Sequence, residues 1–138
     1  MSLTDPKNGA TPPIDSSQTD AVGIDDVMLR VRAIDAQITH VWMVRTFLKH
    51  CDEAEDDEDL REIVRNLYDF ILAVGPVTDH MDTAVYLKMA KKKKRRLVAA
   101  TQLYEQIQAE VSGHTNFVMA ARSLRLAVDS IVVLVTTK

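Results

Sequence analysis

The stretch from Ile24 to His50, IDDVMLRVRAIDAQITHVWMVRTFLKH, decides the fold. Stepping along it by alternating threes and fours gives Ile24, Val27, Val31, Ile34, Ile38, Val41, Arg45 and Leu48. That spacing puts seven apolar side chains on one line of a helix, the stripe of a coiled-coil-like bundle contact. Arg45 alone departs from core chemistry on that line. Trp42 and Phe47 flank it, as packing aromatics at a bundle edge do. Asp25 or Asp26 suits the helix start, because acids favour the positive end of the helix dipole, and Gly23 supplies a break before them.

Working outward from this helix, the residues on its N-terminal side lose all apolar rhythm. Between Met1 and Val22 lie three of the four prolines and Gly9, so 1–22 reads as a flexible, disordered tail and 23–138 as one helical domain. A chain of 138 residues with 46% hydrophobic and 27% charged types is the size and mix of one domain that buries its own core. No stretch approaches a membrane span and the N-terminus lacks a signal-type apolar run, which together with a lone cysteine, Cys51, points to the cytoplasm.

On the C-terminal side comes an acidic run, Asp52, Glu53, Glu55, Asp56, Asp57, Glu58 and Asp59. It lacks the glycine and terminal glutamate of a calcium loop, so no metal site is assigned, and its charge suits the N-terminus of a second helix. That helix buries Leu60, Ile63, Val64, Leu67, Phe70, Ile71 and Val74, and Gly75-Pro76 stops it. Thr78 or Asp79 then caps a third helix running to Val111, about 50 Å long if unbroken against roughly 27 Å for the second.

The third helix contains Lys88 and the run Lys91, Lys92, Lys93, Lys94, Arg95, Arg96. Six successive charges sweep every face of a helix, so some point where a core belongs. The middle of the helix overhangs the bundle, or pairs with Asp35, Asp69 or Asp129, or breaks; alternatively the run binds phosphate. The net charge of −3 and pI near 5.8 argue against a general nucleic-acid binder, while leaving a local patch open. Leu97, Ala100, Tyr104, Ile107 and Val111 resume the stripe, and Gly113 ends it. Ser112, Thr115 and Asn116 offer caps for a fourth helix with a Phe117, Ala121, Leu124, Val128, Ile131, Val135 stripe. Its terminal Ile131–Val135 run is apolar on all sides and β-branched enough to suit a strand, and is expected to pack on another helix or subunit.

Four helices with short turns favour an all-α, antiparallel up-down-up-down four-helix bundle. The unequal helix lengths and the apolar C-terminus lead to an expected homodimer, with the first and third helices extending the contact. No cofactor motif is present, and no Glu-x-x-His pair of the ferritin-like metal proteins occurs. The leading functional expectation is a helical-bundle interaction protein without catalysis.

Arg45-Thr46-Phe47-Leu48-Lys49-His50 resembles the R-x4-6-H motif of the HEPN superfamily, small helical bundles whose arginine, following polar residue and histidine form an RNA-cleaving site across a dimer. The resemblance implies that Arg45 stabilises the phosphoryl transition state, Thr46 orients and His50 serves as acid or base, and it makes RNA the alternative partner. The segments His40–His50 and His114-Thr115-Asn116-Phe117 also resemble short bacterial helical proteins that carry an automatic amidohydrolase label. The residues do not support that activity: metal-dependent amidohydrolases use a His-x-His pair on a barrel strand, and His40, His50, His80 and His114 form no such pair.

Overall fold

The apolar stripes fold together as their spacing requires. A computed structural model describes the backbone over residues 16–137 and the side chains over residues 26–137. It contains α1 (Ser16–His50), a short 3-10 turn (Asp52–Glu55), α2 (Glu58–Val74), α3 (Thr83–Val111) and α4 (Thr115–Thr136), with no strand among the described residues. Each helix packs on its neighbours in the chain, and α4 closes back on α1, while α1 and α3 meet only sparsely across the diagonal. This is the antiparallel up-down-up-down bundle.

In α1 the stripe residues Val31, Ile34, Ile38, Val41 and Leu48 are buried, and Arg45 is buried with them at 8% exposure. They meet Leu60, Ile63, Leu67, Phe70 and Val74 of α2, Leu97, Ala100 and Tyr104 of α3, and Phe117, Leu124, Val128, Ile131 and Val135 of α4 in one core. Ala121 and Ile107, expected on those stripes, are only half-buried.

The element ends differ from the sequence expectation in four places, each with a local cause. First, α1 begins at Ser16, ahead of Gly23. One glycine inside a helix costs about 1 kcal/mol and is no stop signal on its own. The 16–22 part of the expected tail is therefore helical, and its 1–15 part lies outside the described residues. Second, the acidic run does not lead straight into α2. Asp52–Glu55 forms a 3-10 turn that buries Ala54, and Asp57 then caps α2 by accepting from the Leu60 N–H at 3.0 Å.

Third, α3 starts at Thr83, not near Asp79. The Asp82 carboxylate accepts from the N–H groups of Ala84 (2.9 Å) and Val85 (3.2 Å), two orphan donors that neither Thr78 nor Asp79 serves. The connection between α2 and α3 thus runs from Gly75 to Asp82. Gly75 opens it at φ +78°, a conformation that favours glycine, while Val77 and Met81 pack against the core. Fourth, α4 is capped by His114, whose Nδ1 accepts from the Asn116 N–H at 3.0 Å; Thr115 is already the first helical residue. Helix α3 ends at Val111 as expected, with Ser112 rather than Gly113 as its cap, the Ser112 N–H donating to the Gln108 carbonyl at 3.0 Å.

The β-branched C-terminal run is helix, not strand. Ile131 and Val135 face the core, and the Arg30 guanidinium donates to the Thr137 carbonyl at 2.6 Å, a cation placed at the negative end of the α4 dipole. Tyr104, fully buried, donates to the Phe117 carbonyl at 2.8 Å and so ties α3 to the first turn of α4. Tyr86 is buried, and among the described residues its hydroxyl has no hydrogen-bond partner.

Candidate functional site

Arg45 is held by two rings. Trp42 stands one turn before it on α1, and Tyr68 reaches it from α2; the guanidinium carbon lies 4.5 Å from the Trp42 ring centre and 4.8 Å from that of Tyr68. With the two ring centres 6.3 Å apart and the ring planes tilted by 43°, the directions from the cation to the two centres are nearly at a right angle, a corner rather than a sandwich. Each ring face offers the cation about 0.5–1 kcal/mol, more when water is excluded. Among the described residues no carboxylate comes within 4 Å of Arg45. Its Nη1 lies 3.5 Å from the Thr46 hydroxyl, at the outer limit of a hydrogen bond, and its Nε has no partner.

The other residue of the R-x4-6-H segment stands apart. His50 is exposed at the C-terminal end of α1 and makes no hydrogen bond with Arg45. Five residues along a helix turn about 500°, which places the two side chains about 140° apart around the axis. Arg45 and Thr46 are neighbours; Arg45 and His50 do not share a face of one chain. Tyr68 was not singled out in the sequence, since only the packing of α2 on α1 brings it to Arg45.

The basic run sits on an unbroken helix. Lys88, Lys91, Lys92, Arg95 and Arg96 are exposed, whereas Lys93 and Lys94 are half-buried. The buried residues of α3 skip from Ala90 to Leu97, so the run interrupts the core-facing stripe for one heptad. Neither a break nor an ion pair resolves the conflict. Among the described residues no cation of the run has a carboxylate within 4 Å. The nominated partners are otherwise placed. Asp129 pairs with Arg125 on its own helix at 3.1 Å, Asp35 lies near Tyr86, whose pKa is raised chiefly by burial and further by the Asp35 charge, and Asp69 lines a crevice of about 40 Å³ with Phe70, Ala73, Lys93 and Arg96. Long lysine stems let the half-buried cations reach water along their neighbours.

Among the described residues one ion pair does join helices. The Arg125 guanidinium of α4 grips Glu105 of α3 through two bonds, Nε to Oε2 at 2.9 Å and Nη2 to Oε1 at 2.5 Å. The bond from Arg125 holds the Glu105 carboxyl below the usual carboxylate range. At Cys51 burial is the main force raising the thiol pKa, and its Sγ donates to the Leu48 carbonyl at 3.0 Å. A neutral thiol is a poor nucleophile and a poor metal ligand.

Apolar side chains also lie on the outside, in a regular register. On α1 Leu29, Ala36 and Met43 recur every seven residues and are exposed; on α4 Met119, Leu126 and Val133 do the same. Both lines run opposite their helices' core stripes. The helices that carry them are antiparallel neighbours, because Phe47 packs on Phe117 at 5.0 Å near one end and Arg30 bonds Thr137 near the other.

Comparison with protein-family models, with curated proteins and with solved structures returned no match.

Proposed function

We propose that this chain is a non-catalytic interaction module that acts as a homodimer, joined through the outer face of α1 and α4. The observation that carries the reading is the pair of exposed apolar lines on adjacent helices, Leu29, Ala36 and Met43 on α1 and Met119, Leu126 and Val133 on α4. A seven-residue apolar repeat is what a helix presents to another helix, and scattered surface apolars do not keep such a register. Sequence had pointed to α1 and α3 for this contact; the exposed lines favour α1 and α4.

Size and charge both suit a second copy. Each line spans fourteen steps of 1.5 Å, about 21 Å, and two adjacent helices are about 20 Å wide, so the footprint is roughly 400 Å² per copy. Taken on both copies, with the relief of side chains added, this approaches the ~1,000 Å² of a specific interface. On α4 Arg122 stands four residues before Leu126 and Asp129 three after it. A two-fold axis through Leu126 brings Arg122 towards the partner's Asp129 and Met119 towards the partner's Val133, a self-complementary arrangement.

Light scattering across a dilution series up to about 100 μM tests the reading, that being the range in which a modest interface is populated. The expected mass is twice 15.5 kDa, falling to one chain in Leu126→Glu with helix content retained. A wild-type mass of one chain at the highest concentration refutes it.

A further inference from the structure

We infer that the outward face of α3 is a binding surface for the phosphate backbone of duplex DNA, recognised without regard to sequence. Lys88, Lys91, Lys92 and Arg95 follow an i, i+3, i+4, i+7 pattern, and all four are exposed. At 100° per residue they fall within about 100° of one another, on the side opposite Tyr86, Ala90, Leu97 and Tyr104. Lys93 and Arg96 turn instead towards α2, where they line the crevice with Asp69.

This stripe lacks what neutralises cations elsewhere in the molecule. From Thr83 to Tyr104 there is no acidic residue, and among the described residues no carboxylate approaches the stripe within 4 Å. The acidic run lies far off: Glu58 is eleven residues, about 16 Å, along α2 from Asp69, the neighbour of Lys93 and Arg96. That exceeds the ~8 Å Debye length of physiological salt, so the acidic run is screened from the stripe.

The chemistry of the stripe selects its ligand. Lysine binds phosphate as a point charge and reads no base. Single strands are held by stacking on aromatic rings, yet Tyr86 and Tyr104 of α3 are both buried. The residues that continue the stripe are Ala84, Val85, Ala99 and Gln102, of which Val85 alone is a large exposed apolar side chain, too little apolar surface to enter a lipid surface as membrane-bound helices do. Duplex RNA offers a helix only a deep, narrow major groove and presents its phosphates across a shallow minor one. A straight row of four cations over about 10 Å meets a duplex that carries one charge per ~1.7 Å of its axis. Because α3 lies diagonally across from α1, the stripe is open whether or not two copies join through α1 and α4.

Anisotropy of a labelled random-sequence DNA duplex of about 20 base pairs, titrated between about 50 and 200 mM NaCl, tests the inference. Four phosphate contacts give a slope of about −3.6 for log K against log salt, an affinity loss of about 150-fold over that range. Lys91→Gln with Lys92→Gln is expected to flatten the slope by about 1.8, and Arg95→Gln alone by about 0.9, with helix content unchanged. Lys49→Gln, at an exposed site on α1, is expected to leave it untouched. Absence of duplex retention at the lowest salt overturns the inference. So does a slope that the α3 substitutions do not move, or tighter binding to single-stranded DNA, duplex RNA or anionic lipid vesicles than to duplex DNA.

Discussion

Replacing Arg45 by methionine and by alanine separates what its stem contributes from what its charge contributes. The side chain is 8% exposed, lies against Trp42 and Tyr68, and has no carboxylate within 4 Å among the described residues. Truncation to alanine removes two methylenes at about 0.8 kcal/mol each and two ring contacts at about 0.5–1 kcal/mol each, some 3 kcal/mol together. Methionine keeps the length of the stem, places sulfur against the same rings and removes a desolvated cation, so Arg45→Met is expected within about 1 kcal/mol of the parent. Trp42 is the only tryptophan, which makes its emission a local probe of the corner; urea unfolding followed by that emission and by far-UV circular dichroism, at one fixed protein concentration, gives both values. A methionine variant that loses about 3 kcal/mol or more refutes the reasoning, for only a charge held by another charge costs that much to remove. An alanine variant costing less than about 1 kcal/mol refutes the packing half of it.

The remaining predictions concern the ends and the core of the bundle. Asp82→Ala is expected to cost about 1 kcal/mol in a urea melt and Thr78→Ala less than about 0.5, because only the Asp82 side chain accepts from the first turn of α3; equal losses contradict the assignment of the cap. Tyr104→Phe, which deletes the bond to the Phe117 carbonyl, is expected to cost about 1 kcal/mol, whereas Tyr86→Phe is neutral or stabilising because it removes a hydroxyl without a partner. Burial raises the pKa of both tyrosines. Below the ordinary value of about 10 neither state is ionised and their contribution is intact; above it the unfolded chain ionises first, so stability falls as pH rises from there. Tyrosinate absorbance that appears at Tyr86 and Tyr104 before helix is lost would count against that account.

The bundle was legible because its signal is periodic. The stripe from Val31 to Leu48 needs only a count of residues, and burial follows once each helix has a neighbour. Helix ends were less legible, because a cap is decided by competition among nearby acceptors. Asp82 and His114 prevailed over Thr78, Asp79 and Thr115 through the reach of one side-chain atom to one N–H. The surroundings of Arg45 were half legible. Its burial and Trp42 lay within one helix, but Tyr68 is twenty-three residues on and arrives only through tertiary packing. The outer line of Met119, Leu126 and Val133 was present in the spacing and is hidden behind the stronger core stripe of the same helix.

The skip from Ala90 to Leu97 has a mechanical consequence. Helix α3 is gripped by buried apolar contacts near its N-terminal quarter and again in its C-terminal half, and the charged span between meets α2 through the long side chains of Lys93 and Arg96 beside Asp69. It therefore behaves as a beam pinned at two points, and amides at mid-span should exchange with solvent sooner than those at either grip. Force applied to that span by anything that seizes its cations is carried to both grips at once, reaching Tyr86 at one and Tyr104, with the first turn of α4, at the other.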